Sequence, residues 1–117
     1  MSSLVAAKTF TFSLHIIDLY KVLKSKGEFV LSRQLLRSGT SIGANVEEAT
    51  AAQTRKDFLA KICIASKEAY ETRYWLKLLN QSQLIKGDYN CFLKEIEEIT
   101  KILTAIVKTT QNAKPKT

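Results

Sequence analysis

The sequence predicts an all-α protein, an antiparallel up-down-up-down four-helix bundle. Three observations carry that expectation. Apolar residues recur at spacings of three and four along almost the whole chain, which is the period of a helix with one buried face. Gly and Pro, the residues that punctuate loops, number only 4 and 1 in 117 residues, so breaks are few. No stretch alternates apolar and polar residues as a half-buried strand would. Four helical segments joined by short connections place sequential helices side by side and antiparallel. A chain of this length builds one core, so residues 1–117 form a single domain.

The first helix is expected over residues 9–26, where Phe12, Ile16, Leu19 and Leu23 form the stripe. Lys21, Lys24 and Lys26 gather near its end, where cations complement the helix dipole, and Gly27 stops it. The second, over 31–52, aligns Leu35, Ile42, Val46 and Ala49 on one face, with Ser32 as its cap. Gly39 and Gly43 interrupt it, each costing about 1 kcal/mol relative to alanine, so either the helix bends there or, as their spacing favours, another helix approaches closely. Both cysteines, Cys63 and Cys91, fall in helical apolar patterns and read as reduced core thiols.

The third helix, over 54–80, starts at Thr54 as cap with Asp57 at the third helical position. Phe58, Ile62, Ala65, Ala69, Leu76 and Leu79 form its core stripe. A second stripe, Leu59, Cys63, Tyr70 and Tyr74, lies well over a quarter-turn away. A helix with two apolar faces has two things to pack against, so these four residues are candidates for a subunit interface. After a turn at residues 81–88 containing Gly87, the fourth helix runs over 88–110 on Phe92, Ile96, Ile99, Leu103 and Ile106. Residues 112–117, with Pro115, are expected as a frayed tail.

Enzymatic chemistry lacks parts. The one histidine, His15, flanks the first helix's stripe, where a packed or surface imidazole is expected rather than a catalytic base. The Glu47-Glu48 and Glu97-Glu98 pairs have no neighbouring histidine to complete a di-metal bundle site, and two cysteines do not make a zinc site. No phosphate-cradling glycine loop or Cys-x-x-Cys occurs. No enzyme activity, cofactor or metal is therefore expected. The N-terminus has no secretory pattern and no segment is long and apolar enough to span a bilayer, so a cytoplasmic protein without a membrane partner is expected.

Charge points elsewhere. A net charge of +7 favours contact with a polyanion, because clustered cations displace the counterions around phosphates. Lys94, Lys101 and Lys108 recur every seven residues on the fourth helix, and Arg55, Lys56, Lys67 and Arg73 offer further cations from the third. These seven are the nucleic-acid-binding candidates, although Glu97 between Lys94 and Lys101 also fits an ordinary solvated face. On the second helix Arg37, Ser41, Asn45 and Glu48 share an arc away from the core stripe. Ser and Asn are poor mid-helix choices, so an ordered contact inside the chain or between subunits explains them better.

The order Arg37-Ser38, Ser41-Ile42, Ala44-Asn45-Val46, Glu48, Asp57-Phe58, Ala65-Ser66 and Glu71 to Leu76 resembles the four-helix-bundle family encoded in intervening sequences of bacterial large-subunit ribosomal RNA genes. The resemblance covers nearly the whole chain. It implies an antiparallel bundle that assembles as a homopentameric ring, which gives the second stripe on the third helix a partner. The same family includes the accessory variability determinant proteins of diversity-generating retroelements, so the resemblance also implies association with RNA or DNA and with a reverse transcriptase or other nucleic-acid enzyme. Two positions depart from the family's pattern: Gly43 stands where proline is common and Ala49 where glycine is common. The ribosomal wording in the family's label reflects gene location. The expected function is thus a non-enzymatic homo-oligomeric bundle with a basic surface for RNA or DNA, and the alternative is an assembly or scaffold protein that meets an acidic protein partner.

Overall fold

A computed structural model describes residues 3–112, which form four α-helices: α1 (Ser3–Ser25), α2 (Leu31–Thr50), α3 (Arg55–Ser82) and α4 (Asn90–Asn112). Each helix packs on its two sequence or ring neighbours, α1 on α2 and α4, and α3 on α2 and α4, while the diagonal pairs do not approach. The result is an up-down-up-down bundle whose extents are 57 × 22 × 20 Å. The core is one continuous column in which Phe12, Ile16, Leu35, Ile42, Ile62, Leu76, Ile96 and Leu103 are fully buried.

α1 begins at Ser3, ahead of the residue 9 expected. Its stripe extends back through Val5, which is buried, and the buried Thr9 hydroxyl donates to the Val5 carbonyl at 2.8 Å. Threonine is a weak helix former, and burial of Val5 and Thr9 against the bundle overrides that preference. α4 runs to Asn112, and residues 113–117 of the expected tail lie outside the described residues.

Ser32 is not the cap of α2. It sits inside the first turn, and the Glu28 carboxylate accepts from the backbone N–H of Val30 and Ser32, both at 3.0 Å, and from Leu31. The Ser32 hydroxyl in turn donates to the Glu28 carbonyl at 2.9 Å. An almost buried carboxylate is sustained there because three orphan amides and the positive end of the helix dipole face it. At α3 the expected cap holds: the Thr54 hydroxyl accepts from the Asp57 N–H at 3.0 Å. The helix ends at Gln83 in the left-handed conformation, φ 49°, where the side-chain amide donates to the Asn80 and Gly87 carbonyls.

The two cysteines correct the expectation of core thiols, since both are exposed and unbridged. Cys63 belongs to the outward stripe of α3, and Cys91 lies in the first turn of α4 at the seam with α1.

The glycine pair on α2 brings α1 close. A Cβ on Gly39 would lie 2.9 Å from Cγ2 of Ile16, and one on Gly43 would lie 3.3 Å from the Thr9 carbonyl oxygen. Ile16 is β-branched and fully buried, so it cannot swing away. Gly39→Ala is therefore expected to lower stability by about 1–2 kcal/mol, overpacking outweighing the gain of about 1 kcal/mol in helix propensity. Adding Ile16→Ala should leave the alanine at 39 harmless, so that in urea unfolding the two changes couple. Equal stability of Gly39→Ala and the parent protein would show that the helices do not meet there.

Candidate functional site

Two residues of the polar arc of α2, Arg37 and Glu48, join it to α3 within one chain. Arg37 pairs with Glu68 at 3.2 Å and with Glu71, and the Trp75 indole N–H donates to Glu71 at 3.0 Å. At the next position on each helix, the buried Thr72 hydroxyl donates to the buried Ser38 hydroxyl at 2.8 Å. Glu48 pairs with Lys61 at 2.8 Å. Ser41 and Asn45 bond along their own helix, the Asn45 amide donating to the Ser41 carbonyl and hydroxyl at 2.9 and 3.1 Å. Of the residues that carry the family resemblance, Arg37, Ser38 and Glu48 on α2 and Glu71 on α3 link the two helices, Ser41 and Asn45 bond only within α2, and Asp57 opens α3. Glu68 and Thr72 complete the seam and do not stand out in the sequence. Thr72 has a signal all the same, because it occupies a core-stripe position between Ala69 and Leu76 where an unpartnered hydroxyl would be costly.

The Glu71 carboxyl is held below its ordinary range, chiefly by the Trp75 N–H and then by Arg37, against the opposing effect of burial. Arg37 is correspondingly raised, with the Glu71 hydrogen bond first among the causes.

The seven basic candidates do not form one ridge. A seven-residue repeat drifts about 20° around a straight helix at each step. The three lysines of α4 therefore stay within about 40° of one another on its exposed face. Lys94 borders the groove against α1, Lys101 and Lys108 border the groove against α3, and Lys94 and Lys101 both act on Glu98. On α3, Arg73 pairs with Glu97 at 3.1 Å and lies over the Tyr70 ring, 4.9 Å from its centroid. Lys67 faces outward within the field of Glu71, and Arg55 and Lys56 stand in the first turn of α3. Tyr70 also reaches Thr104 of α4, hydroxyl to hydroxyl at 3.5 Å.

Two grooves flank α4. The one against α1, about 470 Å³, is lined by Asp18, Glu95 and Glu98 as well as His15, Cys91, Phe92 and Lys94. His15 Nδ1 lies 2.9 Å from Glu95, and Lys8 pairs with Glu98 at 2.8 Å, so a hydrogen bond and an ion pair close this seam. The Lys8 bond, helped by the fields of Lys94 and Lys101, holds the Glu98 carboxyl below its usual range. Three carboxylates make this groove unsuitable for a polyanion. The groove against α3, about 330 Å³, is lined by Tyr70, Thr100, Lys101, Thr104, Ala105 and Lys108. It presents two ammonium groups, hydroxyls and an aromatic ring, with no carboxylate in its lining. Among the described residues no cluster of three or more His, Cys, Asp or Glu side chains is arranged for a metal ion. No described helix is long and apolar enough to cross a membrane.

Fold and composition together define a four-helix bundle of net charge +7. The chain belongs to the 23S rRNA-intervening sequence protein family, whose model matches residues 2–105. It is similar to a protein of unknown function from the S23 ribosomal protein family of Bacteroides thetaiotaomicron, known from a crystal structure, with 48% identity and a TM-score of 0.84. That similarity covers 90% of this chain and 99% of the Bacteroides chain. No curated protein is significantly similar. Neither description names an enzymatic activity.

Because Glu71 is lowered in the folded protein, its contribution to stability is complete above its unfolded value, 4.5, and is lost as pH falls through the lower folded value. Glu71→Gln should therefore flatten the acid limb of the stability curve below about pH 4.5, measured by urea unfolding at several pH values. Trp75 is the only tryptophan, so its emission should shift over the same window in the parent protein and not in the variant. An unchanged acid limb would show that Glu71 does not hold this seam.

Proposed function

We propose that this protein acts without catalysis, as a cytoplasmic homo-oligomeric bundle whose groove between α3 and α4 binds RNA or DNA, and that it serves as an accessory to a nucleic-acid enzyme. The observation that carries the reading is the convergence of Lys101 and Lys108 beside Tyr70 in a groove lined by no carboxylate. Ammonium groups two turns apart on one helix suit successive contacts to a phosphate backbone, and a tyrosine at the edge suits stacking of an unpaired base. The net charge of +7 supplies the long-range attraction. Family resemblance supports a ring of five copies, which would repeat the groove around an axis and make weak single contacts additive.

One observation favours the scaffold reading with an acidic protein partner: Arg73 is engaged by Glu97, and Lys94 and Lys101 act on Glu98, so part of the positive surface is answered within the chain. Lys101 and Lys108 nevertheless open on a groove without carboxylates, which is the arrangement a phosphate backbone needs.

Fluorescence anisotropy with single-stranded RNA, structured RNA and duplex DNA between about 50 and 200 mM salt tests the proposal. Affinity should fall steeply with salt, and Lys101→Ala with Lys108→Ala should lower the logarithmic salt slope by about 2 for duplex DNA. Tyr70→Ala should weaken single strands more than duplexes. If no ligand binds at the lowest salt, the nucleic-acid reading fails and the acidic-partner reading replaces it.

A further inference from the structure

The α1–α2 and α3–α4 connections lie at the same end of the bundle, and both turn large apolar side chains into solvent. In the first, Phe29 is 53% exposed and Val30 74%, and in the second Leu84 is 60% exposed. With Leu31 and Ile85 they surround a shallow hollow of about 320 Å³. The connection at the other end, Ala51 to Thr54, carries no large apolar residue.

Connections run over the surface and are ordinarily polar, so an apolar cluster on two of them marks a contact surface. Val30 makes the departure clear. It stands just before α2 and makes no side-chain capping bond, because Glu28 serves those amides, and a solvated polar residue would suit the position better. The exposure of Leu84 is equally built in. The Gln83 side chain donates to the Asn80 and Gly87 carbonyls and accepts from the Gly87 N–H, which braces the loop with Leu84 turned outward.

The charge around this patch has one sign. Lys24 and Lys26 at the end of α1, Arg33 in the first turn of α2 and Lys86 in the second connection are all exposed. The two carboxylates of these connections are already answered by backbone amides, Glu28 by those that open α2 and Asp88 by the Asn90 N–H that opens α4. A partner must therefore be apolar at its centre and anionic around it. A peptide needs polar groups to set its register, and Glu28, the one polar side chain lining the hollow, is taken. Apolar depth and surface charge without register are what a bilayer interface reads.

We infer that this end of the bundle docks on an anionic lipid surface, Phe29, Val30 and Leu84 entering the boundary between headgroups and acyl chains while Lys26, Arg33 and Lys86 meet lipid phosphates. Such a contact needs no spanning helix, so it replaces the expectation of a chain without a membrane partner. It is separate from the α3–α4 groove, since Lys101 and Lys108 lie about three turns or more along α4 from this end.

Co-sedimentation with sucrose-loaded vesicles tests the inference, phosphatidylcholine alone against phosphatidylcholine mixed with phosphatidylglycerol. The protein is expected on the anionic vesicles and not on the neutral ones. Lys26→Ala with Lys86→Ala should lower partitioning about 25-fold, about fivefold for each cation. Phe29→Ser with Leu84→Ser, both at exposed positions, should lower it about tenfold and leave any affinity for duplex DNA unchanged. Val30→Ser, a residue suited to a helix start, replaces Leu84→Ser if circular dichroism shows a loss of helix. Equal partitioning of the parent protein and the Phe29 and Leu84 variant would reduce the contact to plain charge attraction and overturn the inference. A matching fall in DNA affinity overturns it as well, because the end would then be a general polyanion contact. So does an absence of vesicle binding at about 50 mM salt, where surface charge is weakly screened. Binding of a labelled leucine-containing polyglutamate peptide in place of vesicles, lost on the same substitutions, would make this end a peptide site instead.

Discussion

The contact on which the bundle most depends is the close packing of α1 on α2 at Gly39 and Gly43. α1 touches only α2 and α4, and on the α4 side it is linked by the Lys8–Glu98 ion pair and the His15–Glu95 hydrogen bond, both solvent-accessible. Accessible pairs of this kind contribute little, typically below about 1 kcal/mol each. The backbone approach on the other side lets Phe12 and Ile16 reach the core column without a void, and the apolar area they bury stabilises the bundle more than these links do. Two glycines inside a helix are unfavourable locally, and the fold retains them because the neighbouring backbone and Ile16 occupy the space a Cβ needs.

The opposite seam is built differently. α2 and α3 meet through a buried hydroxyl pair, Ser38 and Thr72, beside the Arg37, Glu68, Glu71 and Trp75 group. The pair matches α2 to α3 at one register; each hydroxyl also has a carbonyl of its own helix in reach, Thr72 that of Glu68 at 2.8 Å and Ser38 that of Leu35 at 3.5 Å, so the link specifies alignment more than it adds stability. One seam is thus set by shape and the other by hydrogen-bond matching. α2, which takes part in both, is where the polar and small residues of the chain are concentrated.

Much of this is legible in the sequence because helical period is a strong signal: the four stripes, the Thr54 cap and the close approach at the glycines follow from spacing and propensity alone. The failures have physical causes. The start of α1 is hidden because Thr9 and Thr11 weaken local propensity, while burial of Val5 decides the matter. Glu28 as the cap of α2 is hidden because a carboxylate three residues before the helix looks like loop polarity until its amide partners are placed. Cys63 and Cys91 look buried because spacing reports the face of a helix and not whether anything covers that face. The lysine repeat reads as a line because seven residues are nearly two turns, and two steps rotate it by only about 40°; which groove each ammonium borders depends on the neighbouring helices, which spacing does not report.

The proposed binding groove turns on Tyr70. Its ring carries Arg73 on one side, its hydroxyl reaches Thr104 in the groove between α3 and α4, and its exposed edge belongs to the outward stripe of α3. A tyrosine proposed to stack an unpaired base in that groove must keep its ring edge open, and Tyr70 does so while Arg73 covers it from one side and Thr104 anchors its hydroxyl. Lys101 and Lys108 lie on the α4 side of the same ring, so the aromatic and the cationic parts of the groove are held by different helices and their relative position depends on the packing of α3 on α4.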